Sequence, residues 1–230
     1  SDAYFNLANA LKEDNDLIPA IDSYQKAIQL KPNFPEAYSN LGNAQKENND
    51  LSTAIDSYQK AIQLKPIFPE AYNNLGHTFQ LQDRYVEAIQ AYQKALQFKP
   101  NFPQALTNLG TVFHQQGKLK KAYSLFEEAL KQNPKSFDTH FGFANIQYNE
   151  GAIDSAIESY QKVIQLNPDF ADAHNNLGNA LKEQGNLSAA IDSYQKAIKL
   201  KPIFPEAISN LGAVLQQKGD FTSAINSFKL

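Results

Sequence analysis

The apolar residues of this chain follow two helical patterns that alternate along its length. A segment with apolar side chains three or four residues apart is followed, after a short turn, by a second segment of the same kind. Spacings of three and four residues predict amphipathic α-helices, whereas strands would alternate apolar and polar side chains. The sequence therefore predicts an all-α protein built from antiparallel helix pairs.

Proline residues set the length of the repeating unit. Six prolines are each 34 residues apart: Pro32, Pro66, Pro100, Pro134, Pro168 and Pro202. Such a period is typical of stacked supersecondary units, and this length suits a pair of helices. We number the positions of each repeat from Ser1 and predict a single array over residues 1–230, with six complete repeats and a truncated seventh. The predicted repeats are 1–34, 35–68, 69–102, 103–136, 137–170, 171–204 and 205–230.

Each repeat is predicted to contain a helix A at about positions 1–14 and a helix B at about positions 18–31. We expect helix A to bury positions 4, 7, 8 and 11, and helix B to bury positions 17, 20, 21, 24, 27 and 28. Position 20 is Ala in every repeat and position 24 is always aromatic, so a small and a large side chain pack together. Glycine at position 8 predicts a close approach of two helices, and glycine, Asn or Asp at position 15 predicts a left-handed turn. Gly142 fits neither role.

This pattern resembles the tetratricopeptide repeat family, whose signature is matched in full by the third repeat. The matching residues are Tyr72, Leu75, Gly76, Phe79, Ala88, Tyr92, Ala95 and Pro100. The resemblance covers all 230 residues. It implies a right-handed superhelical solenoid with the A helices on the concave face. The departures at position 4 (His140 and His174) and position 11 (Gln45 and Gln147) are expected to loosen local packing.

Composition and charge narrow the classes of partner. The chain has 21 basic and 24 acidic residues, so no polycationic surface favours nucleic acid. No apolar stretch is long enough to span a membrane and no signal-peptide pattern opens the chain, so we predict a cytoplasmic protein without a membrane partner. Cysteine is absent, which excludes disulfides and thiolate metal sites. The start at Ser1 and the absence of methionine predict a processed product or an excised fragment.

No catalytic residue, metal site or cofactor is predicted, and we expect no enzyme activity. His140 and His174 occupy a packing position, while His77 and His114 face the groove without a third metal ligand. Serines at position 23, such as Ser57, are expected on the outer side of helix B and not in a nucleophile elbow. Acidic residues at position 2 are explained by the helix dipole.

Asparagine forms a row on the predicted concave face. It occupies position 6 in six of the seven repeats and position 9 in four. The six at position 6 alone cost roughly 3 kcal/mol in sum relative to Ala, because asparagine is a poor helix former. Two interpretations explain that cost: the amides bind the backbone of an extended peptide, or they bond to one another between adjacent A helices. The row resembles that of the repeat arms of O-linked N-acetylglucosamine transferases and SPINDLY-like proteins, which implies peptide binding. The predicted peptide-binding residues are Asn6, Asn9, Asn40, Asn43, Asn74, His77, Asn108, Thr111, His114, Phe141, Asn145, Tyr148, Asn176, Asn179 and Asn210.

Two features of the groove refine this prediction. Tetratricopeptide domains that clamp the acidic C-termini of chaperones resemble one another in having basic residues at positions such as 5, whereas none of the position 5 residues here is basic, so such a clamp is not predicted. The charges at positions 12 and 13 are expected to pair along each helix. In the fifth repeat Gly142 replaces the asparagine, and the neighbouring Phe141 and Tyr148 either form an apolar spot for a ligand or reflect local repacking.

The function predicted from the sequence is a protein–protein interaction scaffold that binds extended peptides in its concave groove. One alternative is the substrate-recruiting arm of a larger glycosyltransferase. Another is a structural module that associates end to end through the uncapped seventh repeat, where Phe221, Ile225 and Phe228 form an apolar stripe.

Overall fold

A computed structural model of the chain describes residues 1–222 and Ala224. This part of the chain forms thirteen α-helices and contains no β-strand, which confirms the all-α prediction. The helices are α1 (Asp2–Glu13), α2 (Leu17–Leu30), α3 (Pro35–Glu47), α4 (Leu51–Leu64), α5 (Pro69–Leu81), α6 (Tyr85–Phe98), α7 (Pro103–Gln115), α8 (Leu119–Gln132), α9 (Phe137–Asn149), α10 (Ile153–Leu166), α11 (Ala171–Glu183), α12 (Leu187–Leu200) and α13 (Pro205–Gln217).

Odd-numbered helices are the predicted A helices and even-numbered helices are the predicted B helices. Four A helices begin at a proline, where the fixed φ angle suits the first turn and the missing N–H is not needed. The turn after each of the first three A helices passes through a left-handed residue, Asn15, Asn49 or Asp83, with φ near 60°. Glycine takes over this position from Gly117 onward, so the prediction for position 15 is confirmed.

The helices divide into two compact units, Ser1–Lys118 and the residues from Leu119 onward. In the first unit α1 contacts α3, α3 contacts α5 and α5 contacts α7, and in the second unit α11 contacts α13. The B helices pack chiefly against A helices. Each unit therefore brings successive A helices together along one face, while a single continuous array of seven repeats stays a prediction.

The predicted core is confirmed at positions 20, 24 and 27. Alanine or valine at positions 20 and 27 and the aromatic ring at position 24 are buried in every repeat where the structure describes them. Helix A buries more than expected, because positions 3, 5 and 10 also face a neighbouring helix, as Ala37, Ser39 and Ala44 show in α3. Positions 17, 21 and 28 of helix B are mostly half-buried.

The expected position of the serines on the outer side of helix B is wrong. Ser57 is buried and its hydroxyl donates a hydrogen bond of 2.6 Å to Oε1 of Gln45. Ser159 makes the same 2.6 Å bond to Gln147. The two glutamines at position 11 therefore pair with serine at position 23 of their own repeat, and the expectation that they loosen the packing is wrong as well.

Glycine at position 8 allows the tyrosine at position 24 to lie against the backbone of helix A. A Cβ atom placed at Gly76 would lie 2.8 Å from Cε1 of Tyr92 and 3.2 Å from the carbonyl oxygen of Ala88. Gly142, which the sequence left without a role, has the same kind of neighbour, since a Cβ atom there would lie 2.5 Å from Cζ of Phe126. Close contact with the aromatic ring at position 24 thus explains glycine both at position 8 and at position 6 of the fifth repeat.

The apolar stripe predicted for the seventh repeat is described only in part. Phe221 is 61% exposed, whereas Ile225 and Phe228 lie outside the described residues. None of the described helices has the length and apolar character needed to cross a membrane.

We predict that Gly76→Ala lowers the free energy of unfolding by about 1–3 kcal/mol, because the added methyl group has to displace the Tyr92 ring. Helix propensity alone would give the opposite sign, a gain of about 1 kcal/mol. Urea unfolding followed by circular dichroism measures the difference. An increase in stability would show that the ring has room to move.

Candidate functional site

The asparagines at positions 6 and 9 form a hydrogen-bonded row that joins neighbouring repeats. We call this row the amide ladder. Nδ2 of Asn40 donates to Oδ1 of Asn9 over 3.0 Å, and Nδ2 of Asn74 donates to Oδ1 of Asn43 over 2.9 Å. In the second unit, Asn176 donates to Asn145 over 3.0 Å. Position 6 of one A helix is thus bonded to position 9 of the preceding A helix.

A buried tyrosine hydroxyl completes each of these contacts. The hydroxyl groups of Tyr24, Tyr58 and Tyr160 donate to the same Oδ1 atoms at position 9, over 2.6, 2.7 and 2.7 Å. The tyrosine rings are almost fully buried, and burial raises the pKa of Tyr24 to about 12. A buried, protonated phenol needs an acceptor, and the asparagine at position 9 provides one.

Two rungs of the ladder use a residue that the sequence did not single out. Asn108 donates to Oδ1 of Asn73 over 3.1 Å, and Asn210 donates to Oδ1 of Asn175 over 3.1 Å. Both acceptors occupy position 5 of the preceding repeat and are buried. The prediction missed them because position 5 varies among repeats and lies beside the face formed by positions 6 and 9. In the sixth repeat the hydroxyl of Tyr194 still donates to Asn179, over 2.8 Å.

The third repeat replaces the asparagine at position 9 with His77. The hydroxyl of Tyr92 now donates to Oε1 of Gln80 over 2.9 Å, three residues further along α5. Nδ1 of His77 lies 3.4 Å from Nζ of Lys46. Burial lowers the pKa of His77, and the charge of Lys46 lowers it further.

The ladder is interrupted where the aromatic residue at position 24 has no hydroxyl. Phe126 takes that position in the fourth repeat, Thr111 replaces the asparagine at position 9, and Gly142 replaces the asparagine at position 6 of the next repeat. The hydroxyl of Thr111 turns back to the carbonyl oxygen of Thr107, 3.0 Å away. At this point of the chain the tyrosine and both asparagines are therefore replaced together. This joint variation is the signal in the sequence that reveals a hydrogen-bonded network.

Several amide groups of the ladder remain available to a ligand. Nδ2 of Asn9, Asn43 and Asn145 donates to no protein group among the described residues, because only the oxygen of each amide is used. Asn6, at the start of the row, is exposed. The geometry thus supports hydrogen bonding between adjacent A helices as one role of the asparagines, and within each unit it leaves amide donors on the face that carries the ladder.

The remaining residues of the predicted peptide site have neighbours within the protein. The centroid of the Phe141 ring lies 4.8 Å from the ring centroid of Phe170 and 6.0 Å from that of Tyr160. The hydroxyl of Tyr148 donates a hydrogen bond to Glu183. These contacts favour the local repacking that the sequence suggested for this repeat. His114 is half-buried, and burial lowers its pKa. Contact of these three residues with a peptide stays a prediction.

The two histidines at position 4 have a structural partner. Nε2 of His140 lies 3.0 Å from the carbonyl oxygen of Pro134, and Nε2 of His174 lies 3.0 Å from that of Pro168. Each ring therefore ties the start of an A helix to the end of the preceding repeat. Among the described residues, no three His, Asp or Glu side chains cluster in a way that would hold a metal ion.

Ion pairs among the described residues are of two kinds, local pairs three residues apart, such as Glu128 with Lys131, and pairs between distant segments. Lys12 of α1 forms an ion pair of 3.0 Å with Glu47 of α3, so the expectation of pairing along each helix is wrong for this pair. At position 2, Glu36 pairs with Lys65 over 2.9 Å, and this bond lowers the pKa of Glu36. The same contact joins Glu70 at position 2 to Lys99 at position 31 over 2.8 Å, which adds a role that the helix dipole alone did not explain.

Comparison with known families identifies the repeats. The sequence model described as TPR repeat matches residues 8–49, 46–83, 144–185 and 178–219, and the model described as tetratricopeptide repeat matches residues 69–102 and 103–136. The chain belongs to the tetratricopeptide repeat family. Membership in this family supports a role as a protein-interaction scaffold, and a fold made only of these repeats is typical of non-enzymatic scaffolds.

Solved structures share this repeat fold. The structure of YrrB, described as a tetratricopeptide repeat protein with an unusual peptide-binding site, is 28% identical, has a TM-score of 0.57 and covers 80% of this chain and 95% of its own. PilF of Pseudomonas aeruginosa is 24% identical with a TM-score of 0.76, over 90% of this chain and 94% of its own. Cut9 in the APC/C hetero-tetramer with Hcn1 is 19% identical with a TM-score of 0.86, over 99% of this chain and 46% of its own. The search of curated protein sequences gave no match.

The tyrosine–asparagine bond can be tested with a double-mutant cycle. We predict that Tyr58→Phe costs about 0.5–1.5 kcal/mol of unfolding free energy and that Asn43→Ala costs about 1–3 kcal/mol, because it leaves a buried hydroxyl without an acceptor. The double variant should lose about 1 kcal/mol less than the sum of the two. Tyr85→Phe is the control, since its hydroxyl bonds Asp83 in an exposed turn and its loss should change stability by less than about 0.5 kcal/mol. Additive effects would contradict the bond.

The lowered pKa of His77 predicts how stability depends on pH. The unfolded chain binds a proton near the ordinary value of 6.5, whereas the folded chain binds it only at lower pH. The free energy of unfolding should therefore fall as the pH drops through 6.5 and level off below the folded pKa. Chemical denaturation between pH 8 and pH 5 measures this slope. A His77→Asn variant should show a smaller slope, and an equal slope would assign the effect to other groups.

Proposed function

We propose that this chain is a non-enzymatic scaffold that binds extended polypeptide segments along the face carrying the amide ladder. The single observation that supports this best is how the amide at position 9 uses its two polar atoms. The oxygen at position 9 is occupied by protein donors, as at Asn43, while Nδ2 of the same amide donates to no group in the part of the chain that the structure describes. A peptide backbone offers a carbonyl acceptor at every residue, which suits a row of such donors.

The hydrogen bonds within the ladder favour binding by fixing the amides in advance. An asparagine side chain that is already held by a tyrosine hydroxyl and a neighbouring asparagine loses little rotamer freedom when a ligand arrives. Ordering a free side chain costs about 0.5–1.5 kcal/mol, so a preorganised row makes each contact more favourable. The structural and the binding interpretations of the asparagines are therefore compatible, because they use different atoms of the same amide.

The similarity between repeats also favours a repetitive ligand. Residues 51–76 and 187–212 differ at only four of 26 positions. Surfaces this alike suit a feature that recurs along the ligand, such as a polypeptide backbone, better than a unique epitope. YrrB, which is 28% identical to this chain, is described as having a peptide-binding site, and this adds support for a peptide as the ligand class.

We extend the proposal to the predicted residues of the row and give priority to positions 6 and 9. His77, Thr111, His114, Phe141 and Tyr148 are secondary candidates. The glycosyltransferase arm and the end-to-end module stay predictions from the sequence.

The proposal predicts that changing both Asn74 and Asn108 to Ala weakens peptide binding by about tenfold. Each change removes the second N–H of an Nδ2 group, which the ladder bond leaves over, and a carbonyl oxygen. Stability should fall by only about 1 kcal/mol, because each lost ladder bond is partly offset by the better helix propensity of Ala. A random-sequence peptide array identifies binding peptides, and fluorescence anisotropy with those peptides gives the dissociation constants.

The control for lost stability is Ser57→Ala, which removes a buried hydrogen bond away from the amide ladder. This variant should be destabilised to a similar extent and bind peptides normally. Unchanged binding by the double asparagine variant, or no binding of any peptide by the intact protein, would contradict the proposal.

A further inference from the structure

Position 12 of one A helix contacts position 13 of the next A helix at several points along the chain. Lys12 forms the 3.0 Å ion pair with Glu47, Nε2 of Gln80 donates to Oε1 of Gln115 over 3.2 Å, and Tyr148 donates to Glu183. Each pair is 35 residues apart in the sequence. This contact runs parallel to the amide ladder, one helical turn further along the A helices.

Lys46 breaks this regularity. It occupies position 12 of the second repeat, but position 13 of the third repeat is Leu81, which offers no polar atom and is 51% exposed. No carboxylate among the described residues lies within ion-pair distance of Lys46. Its ammonium group instead lies 3.4 Å from Nδ1 of His77.

The chemistry of this pair fixes the direction of its hydrogen bond. An ammonium group carries only donors, so Nδ1 of His77 has to accept and the ring proton lies on Nε2. Lys46 is half-buried, and burial lowers its pKa, while Glu47 raises it and Lys12 lowers it. A partly desolvated cation without a counter-ion is stabilised by any anion that reaches it.

The pair lies on the face that carries the amide ladder. Lys46 is three residues from Asn43 on α3, and His77 is three residues from Asn74 on α5, so each lies one helical turn from a ladder amide. A polypeptide that follows the ladder, as the proposed function requires, passes this point between the second and third repeats.

We infer that Lys46 and His77 form an anion site that takes a carboxylate of the bound polypeptide. Nζ of Lys46 is the donor: one of its N–H groups is held by Nδ1 of His77, and the other two are left for the ligand. The carboxylate supplies the charge that glutamate supplies to Lys12. The inference rests on the proposed function for its ligand class, and it makes that class more specific: peptides that place an acidic side chain or a C-terminal carboxylate opposite these residues bind more tightly than neutral ones.

The test uses three versions of a peptide retained on the array, all fluorescein-labelled at the N-terminus. The first peptide is amidated at the C-terminus and carries Glu at the position under test. The second is also amidated and carries Gln at that position. The third ends at that position, with Gln as its last residue and a free C-terminal carboxylate. We expect either carboxylate version to bind about fivefold to tenfold more tightly than the neutral one at low salt, as partly buried charge-assisted hydrogen bonds allow. In Lys46→Gln the preference should fall below about twofold.

The matched control is Lys182→Gln, which removes the same charge from position 12 of the sixth repeat. It should keep the carboxylate preference, and thermal unfolding should show that both variants are folded. Equal affinity for the three peptides, or an equal loss of preference in both variants, would overturn the anion site and leave the proposed peptide binding intact.

A second measurement separates the two proposals if no peptide binds. Acetate titrated into ¹⁵N-histidine-labelled protein should shift the ring signals of His77 in the wild type and not in Lys46→Gln. A shift with no peptide binding would support the anion site and contradict the proposed function. No shift in the wild type would overturn the anion site.

Discussion

A tyrosine ring buried against the backbone of helix A carries a hydroxyl group that has to find an acceptor, and the rest of the groove face is arranged around that requirement. Glycine at position 8 makes room for the ring, as at Gly76. Asparagine at position 9 accepts from the hydroxyl, and asparagine at position 6 of the next repeat donates to the same oxygen, as in Tyr58, Asn43 and Asn74. The helix propensity lost at each asparagine is thus offset by a bond that also ties two repeats together.

Much of the fold could be predicted because its determinants are local and repeated. Proline at the first turn, a left-handed residue at position 15 and apolar spacing of three or four residues each specify the helix pair independently. The burial of positions 3, 5 and 10 could not be predicted in the same way. A small residue such as Ala44 carries little hydrophobic signal, and it is buried in a cluster with Ala8 and Tyr24 of the preceding repeat. Stacking between repeats, and not the pattern within one repeat, decides the environment of this residue.

The sequence predicted which asparagines form the row, but not which of their atoms bond to the tyrosines and to one another. The asparagine row is visible in the sequence, whereas the tyrosine partner belongs to helix B and is recognised first as a core aromatic residue. Joint replacement of Tyr, Asn and Asn by Phe126, Thr111 and Gly142 carries the missing information, because the three residues would form one hydrogen-bonded network and lose it together. Asn73 and Asn175 at position 5 gave no such signal, since Ser, Thr and Phe occupy that position elsewhere.

Residues that depart from the repeat pattern indicate special local roles most clearly when the other repeats keep that pattern closely. His77 removes the acceptor that Tyr92 would use, and the hydroxyl turns to Gln80, so the structural requirement is met by another residue of the same helix. As a result, the residue at position 9 of the third repeat no longer has to accept a hydrogen bond from the tyrosine. It is His77, and it contacts Lys46, which has no carboxylate partner among the described residues because position 13 of the third repeat is Leu81. Two exceptions with separate structural consequences therefore meet at one place on the ladder face. A function specific to that place is a simpler explanation of both than two independent losses of regularity.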